Sequence, residues 1–151
     1  MLEKLSPISL KCFNAAKQEA RRLQSPDLNT RHLLLGLIHE QQAWFDGLLK
    51  PYQVGVEQIV EAIEKTLESQ GPSSSAKLVV SLELKNTLRQ SIALAKGVSV
   101  TPVHLFLSLL EKDDQVRKLL TDLGIDAAQM QEALQPAQEE QTSVTVSPTQ
   151  N

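Results

Sequence analysis

The sequence predicts an all-α fold: eight helices in two sets of four, a double repeat built from two four-helix units. Three observations predict it. Aromatic residues make up only 3% of the chain, while Leu, Ala, Gln, Glu and Lys are plentiful, a composition that favours helix over sheet. Apolar residues recur at i, i+3, i+4 and i+7 in one segment after another. Finally, "NTRHLLLGLIHE", from Asn29, is echoed 72 residues later by "TPVHLFLSLLEK", from Thr101. Each run has a polar start, a His-Leu pair and a dense apolar stretch with a small residue in its middle.

The first helix opens with Ser6 as N-cap and Pro7 at the first helical position, where an N–H would lack an intrahelical partner anyway. Leu10, Phe13, Ala16, Ala20 and Leu23 mark its apolar face. Thr30 is expected to cap the second helix, which runs to about Gln42 with Leu33, Leu34, Leu37 and Ile38 as a wide buried stripe. A short helix follows in "AWFDGLLK", stopped by Pro51. A fourth carries Val56, Ile59, Val60, Ile63 and Leu67 on one face. "SQGPSSSAK" (69–77) then reads as a linker, because Gly, Pro and three serines break any periodicity.

The second half follows the same plan. Ser81 caps a fifth helix with Leu84, Leu88, Ile92 and Ala95 inward, and Gly97 ends it. Thr101–Pro102 starts a sixth, carrying Leu105, Phe106, Leu109 and Leu110. A seventh surrounds Val116, Leu119 and Leu120; Asp126 caps an eighth, with Ala127, Met130 and Leu134 inward. The expected domain covers 1–134, with repeat 1 over about 5–68 and repeat 2 over about 78–134. The polar segment 135–151 is expected to be a disordered tail. Aligning the two runs sets His32 against His104 and Gly36 against Ser108; Leu48–Leu49 matches Leu119–Leu120 at an offset of 71. A four-helix unit of this size leaves too much surface exposed to be stable alone, so the two copies are expected to share one core.

Several function classes drop out. A net charge of −3 argues against a nucleic-acid binder, which needs a cationic face. No apolar run is long enough to span a bilayer, and the N-terminus lacks a signal-peptide pattern. A lone Cys12 fits a reducing compartment, so a cytoplasmic protein is expected. No G-x-x-x-x-G-K-[ST] occurs, so this stretch is not itself an ATPase.

No residue carries a motif-supported catalytic role. Cys12 has no evident base and reads as a small buried hydrophobe. His32 and His104 read as packed histidines that tie each helix start to a neighbouring loop; metal ligands would need companions that the spacing does not supply. No metal and no cofactor are therefore expected. Gly36, a costly residue inside a helix, reads as a close helix approach, with the small Ser108 opposite. Asp113 and Asp114 read as a helix-start pair favoured by the macrodipole. Trp44, Phe45 and Tyr52 are three of the chain's five aromatic residues. They serve either the shared core or, where exposed, as anchors for a partner protein, and they are the candidate protein-binding residues.

The pattern from Thr30 to Ile38 (T-R-H-L-L-L-G-L-I), its weaker copy from Pro102 to Leu110, and "QEARRLQ" (18–24) resemble the N-terminal domain of the Clp ATPases. The likeness covers roughly residues 5–134. It implies an all-α, pseudo-twofold double repeat whose structural motif positions are Thr30, His32 and Gly36, with Thr101, His104 and Ser108. It also implies a docking module that presents substrates or adaptor proteins to a chaperone ring. The Met start and polar tail favour a free-standing accessory of a Clp protease, whose partners would be Clp ATPase or protease-core subunits, unfolded or tagged substrates, and adaptors. The alternatives are the front domain of a full-length Clp ATPase and a small helical ligand carrier. In some members the residue before the motif His is a Glu that takes part in recognising phosphoarginine. Arg31 and Val103 stand there instead, so phosphoarginine binding is not expected.

Overall fold

Ser6 and Ser81 set the frame of the molecule. Each has extended backbone, and each accepts a hydrogen bond from the N–H three residues on, Ser9 and Leu84 respectively, both at 3.1 Å. The helices they start are α1 (Pro7–Arg22) and α5 (Leu82–Ala95). The computed structural model describes residues 2–68 and 78–134; the expected linker (69–77) and tail (135–151) lie outside the described residues. Between and after these two come α2 (Thr30–Glu40), α3 (Gln42–Leu49), α4 (Val56–Glu68), α6 (Pro102–Lys112), α7 (Asp114–Asp122) and a last helix, α8, over 127–134. The all-α class holds, with eight α-helices among the described residues.

One addition was not legible in the sequence. Asp27–Leu28 (β1) and Val79–Val80 (β2) pair in parallel, and Leu5 forms an isolated parallel bridge with Val100. The two pairings mirror each other. The Ser6 N–H donates to the Val100 carbonyl, and the Ser81 N–H donates to the Leu28 carbonyl, both at 2.9 Å. The N-cap residue of the first helix of each half is thus held by the residue just ahead of the N-cap of the second helix of the other half. These ladders satisfy backbone groups that would otherwise be buried unpaired, and they lash the halves together reciprocally.

Two local expectations need correction. Thr30 does not cap α2. Asn29 does, accepting from the Arg31 N–H at 3.0 Å, while Thr30 is the first helical residue. Asn is at least as good an N-cap as Thr, which leaves the Thr30 hydroxyl free for another bond. Leu10 is not on the buried face of α1: it is 38% exposed, while Ser9, Cys12, Phe13, Ala16 and Ala20 are buried. Leu10 lies about 100° round the helix from Ser9, and the face turned inward is the one made of small residues.

Close approach explains that choice. α1 packs along α2, and a Cβ built on Gly36 would lie 2.2 Å from the Cys12 carbonyl oxygen and 2.8 Å from the Ala16 nitrogen. Backbone meets backbone here, so neither helix can carry a larger residue at the crossing. α5 likewise packs against α6, and α2 also touches α5 and α6. Leu33, Leu34, Leu37, Leu105, Phe106 and Leu109 all belong to one buried cluster that runs through both halves. α2 is buried nearly all round, as expected of a central helix.

A candidate docking surface

The two histidines act in the same way at equivalent helix starts. His32 Nδ1 accepts the Asn29 N–H at 3.0 Å, and His104 Nδ1 accepts the Thr101 N–H at 3.0 Å. Each imidazole stands where a capping box usually places Glu or Gln. With Nδ1 accepting, the His32 proton sits on Nε2, which donates to Ser25 Oγ at 2.8 Å. Burial pushes the His32 imidazole down to about 4, the Arg31 charge adding to the effect and Asp27 and Glu19 opposing it. Burial also lowers His104. Thr101 caps α6, and the Ser108 hydroxyl donates back to the His104 carbonyl at 2.8 Å. Cys12 is fully buried, and burial pushes its thiol up to about 11, which makes it a poor nucleophile at neutral pH. Among the described residues no group of three or more His, Cys, Asp or Glu is placed to hold a metal ion.

Thr30 and Asp113 join the two halves. The Thr30 hydroxyl donates to Asp113 Oδ2, while Asp113 Oδ1 accepts the Val116 N–H at 2.9 Å and so caps α7. Both side chains are buried. Asp113 does more than favour a helix dipole, and its cross-repeat role had no signal in local sequence.

The three aromatics separate. Phe45 is 1% exposed and packs edge-to-face on Phe106 of the other half, with ring centroids 5.0 Å apart. It is a core residue and is removed from the candidate docking face, because the α3 surface bearing it turns onto α6. Trp44 is half-buried and lies edge-on to both Phe45 (5.0 Å) and Phe106 (5.9 Å). Tyr52 is half-buried too, and its hydroxyl donates to Gln129 Oε1 at 3.1 Å. Burial sets the alignment of the halves here: Phe45 matches Val116 and Leu49 matches Leu120, all buried. Trp44 therefore corresponds to Gln115, not to Val116.

Gln115 borders two grooves on the side of the molecule where α2 begins. One, of about 420 Å³, lies between α4 and α7 and is walled by Ala62, Thr66, Leu119 and Leu123. The other, of about 380 Å³, is more polar and is edged by Asp27, Glu83 and Asp114 with Lys112. Arg31 lines both. It is 9% exposed, and burial lowers its affinity for its proton against the attraction of Asp113, Asp27 and Glu83. Among the described residues its buried Nε has no hydrogen-bond partner, and Nη1 reaches the Thr66 carbonyl only at 3.5 Å. Sequence reasoning saw Arg31 only as the replacement of an acid and missed its burial, since an Arg in a first turn is usually solvated.

Comparison with known proteins gives a consistent result. The family described as the Clp repeat (R) N-terminal domain matches residues 4–101. The ATP-binding subunit ClpC of an ATP-dependent Clp protease, from Staphylococcus saprophyticus, is 28% identical over an alignment of 122 residues that covers 77% of this chain. The chain spans only about 15% of that relative's length. Among solved structures, the Hsp104 N-terminal domain from Candida albicans superposes with a TM-score of 0.77 at 16% identity, covering 89% of this chain and 91% of that one. The N-terminal domain of the chaperone ClpD from Arabidopsis thaliana gives a TM-score of 0.73 at 20% identity, covering 91% and 99%.

Proposed function

Because this chain belongs to the Clp repeat N-terminal domain family, we propose that it is a non-enzymatic docking module and an accessory or adaptor of a Clp chaperone–protease. It would engage Clp ring subunits, their substrates or other adaptors through grooves between helices, with Trp44 and Tyr52 as surface anchors. Its mechanism is binding, with specificity from shape and a few polar contacts. The observation that carries this reading is the division of labour between interior and surface. The reciprocal ladders and the shared aliphatic cluster draw both halves into one core, while Trp44 and Tyr52 remain partly exposed and the α4–α7 groove opens at the surface. A cytoplasmic location goes with this reading; among the described residues no helix is long and apolar enough to cross a membrane.

The test is capture from the native cell extract, using the wild-type protein and Trp44→Ala. Recovery of Clp ATPase or protease-core subunits, reduced at least fivefold by the substitution, is the expected outcome. Recovery of no Clp subunit by either protein sinks the accessory reading. Phosphoarginine remains a ligand we do not expect, with Arg31 and Val103 where an acid would receive its guanidinium; micromolar binding of the free amino acid in calorimetry overturns that. A second reading, the front domain of a longer Clp ATPase, is favoured by the short share of ClpC that the chain matches. An immunoblot of the native extract distinguishes the two by the mass of the protein that carries this sequence.

A further inference from the structure

The two halves are alike in fold but unlike in chemistry at one pair of equivalent places. On the side of α2, the matching positions hold Arg31, Gln115 and Lys118; on the side of α6 they hold Val103, Trp44 and Gly47. The fold needs neither set, since both halves form the same helices around them. The polar set borders the groove between α4 and α7, whose walls are Ala62, Leu119 and Leu123. Arg31 lines it too, a residue nine-tenths buried whose Nε–H has no hydrogen-bond partner among the described residues.

A buried donor left unpaired is costly, and more so when it is charged. The nearby carboxylates do not relieve it. Asp113 spends one oxygen on the Val116 N–H and the other on the Thr30 hydroxyl, and Asp27 Oδ1 accepts from Asn29 Nδ2 at 3.0 Å. Like Glu83, they attract Arg31 without pairing with its Nε. At the rim, Lys118 reaches Asp122 at 3.4 Å, but both side chains are largely exposed, so that pair is weak and easily opened.

We propose that the α4–α7 groove is a carboxylate-recognition site for an acidic–aliphatic segment of a partner protein, with Arg31 as the anion anchor. A Glu or Asp side chain of the segment meets the guanidinium, the planar donor fork best matched to a carboxylate. Lys118 swings from Asp122 toward the same charge. Neighbouring aliphatic side chains of the segment lie on Ala62, Leu119 and Leu123. The groove runs between two helices and opens to solvent, so it takes a segment passing through. The proposal rests on the docking reading for its partner class, and it adds the chemistry that one groove selects.

The test is a nuclear magnetic resonance titration of the whole chain with an acetylated, amidated Leu-Glu-Leu tripeptide and its Leu-Gln-Leu counterpart. The Glu peptide is expected to shift the Arg31 Nε–H signal and the methyl signals of Ala62 and Leu119, and to bind at least tenfold more tightly than the Gln peptide. Arg31→Gln is expected to abolish that preference while keeping a helical circular dichroism spectrum. Equal binding of the two peptides by the wild-type protein overturns the proposal whether or not the variant folds. An acetylated Leu-Gly-Leu peptide with a free C-terminus, if it binds more tightly than the Glu peptide, overturns it in favour of a chain-end site. Loss of the Glu preference while Clp subunits are still captured removes this site alone. A clear Glu preference without Clp capture keeps the site and removes the docking reading.

Discussion

At His32 a single proton position joins three residues. Nδ1 takes the Asn29 N–H and Nε2 donates to Ser25, so the neutral ring is the form the fold requires. An imidazole lowered to about 4 by burial binds its proton later in the folded state than in the unfolded chain, where the value is about 6.5. Between these values the unfolded state holds more protons, so stability falls as pH drops through that window and this group adds no further change below about 4. The expected loss is about 3 kcal/mol. Urea unfolding of the wild type and His32→Gln at several pH values checks it: the difference between them should shrink as pH falls from 6.5 to 4. Gly36 presents the opposite constraint, of space instead of charge. Gly36→Ala gains helix propensity of about 1 kcal/mol, yet its methyl would sit 2.2 Å from the Cys12 carbonyl. The helices must part, so a net destabilisation of about 1–3 kcal/mol is expected, read from the midpoint of denaturant unfolding. A net stabilisation would show that α1 and α2 do not cross so closely.

Among the elements, the helix starts were the most legible part. Ser6, Ser81 and Thr101 cap the helices that the sequence assigned to them, because capping is a local bond between residues three apart. Thr30 failed as a cap for a reason that is not local. Asn29 fills the role, and the Thr30 hydroxyl goes instead to Asp113, 83 residues away. That bond holds the start of α2 against the start of α7. Thr30→Val and Asp113→Asn, singly and together, should show a coupling energy of about 1–3 kcal/mol in a double-mutant cycle. Additive effects would mean that the two side chains do not act as a pair. The face of α1 shows the same limit on local reading: periodicity put Leu10 inside, and the close helix crossing turned the small-residue face inward instead.

For the molecule as a whole, the prediction concerns the halves. Residues 2–68 alone would expose the faces that Phe106, Leu105 and Leu109 cover, and would lose both cross-repeat ladders. That fragment is expected to unfold without a cooperative transition when heated in a circular dichroism cell, while the whole chain unfolds cooperatively. A sharp transition in the fragment would show that each repeat folds by itself. The sequence alone determined the helical class, the two-copy plan and most of the helix starts, because periodicity, capping and internal repetition are written in neighbouring residues. Tertiary structure alone decided the reciprocal pairing of Leu5 with Val100 and of β1 with β2, the burial of Phe45, the hydrogen bond from Thr30 to Asp113 and the desolvation of Arg31. Each of these depends on what the other half of the chain places nearby, and a residue carries no local mark of its partner across a fold.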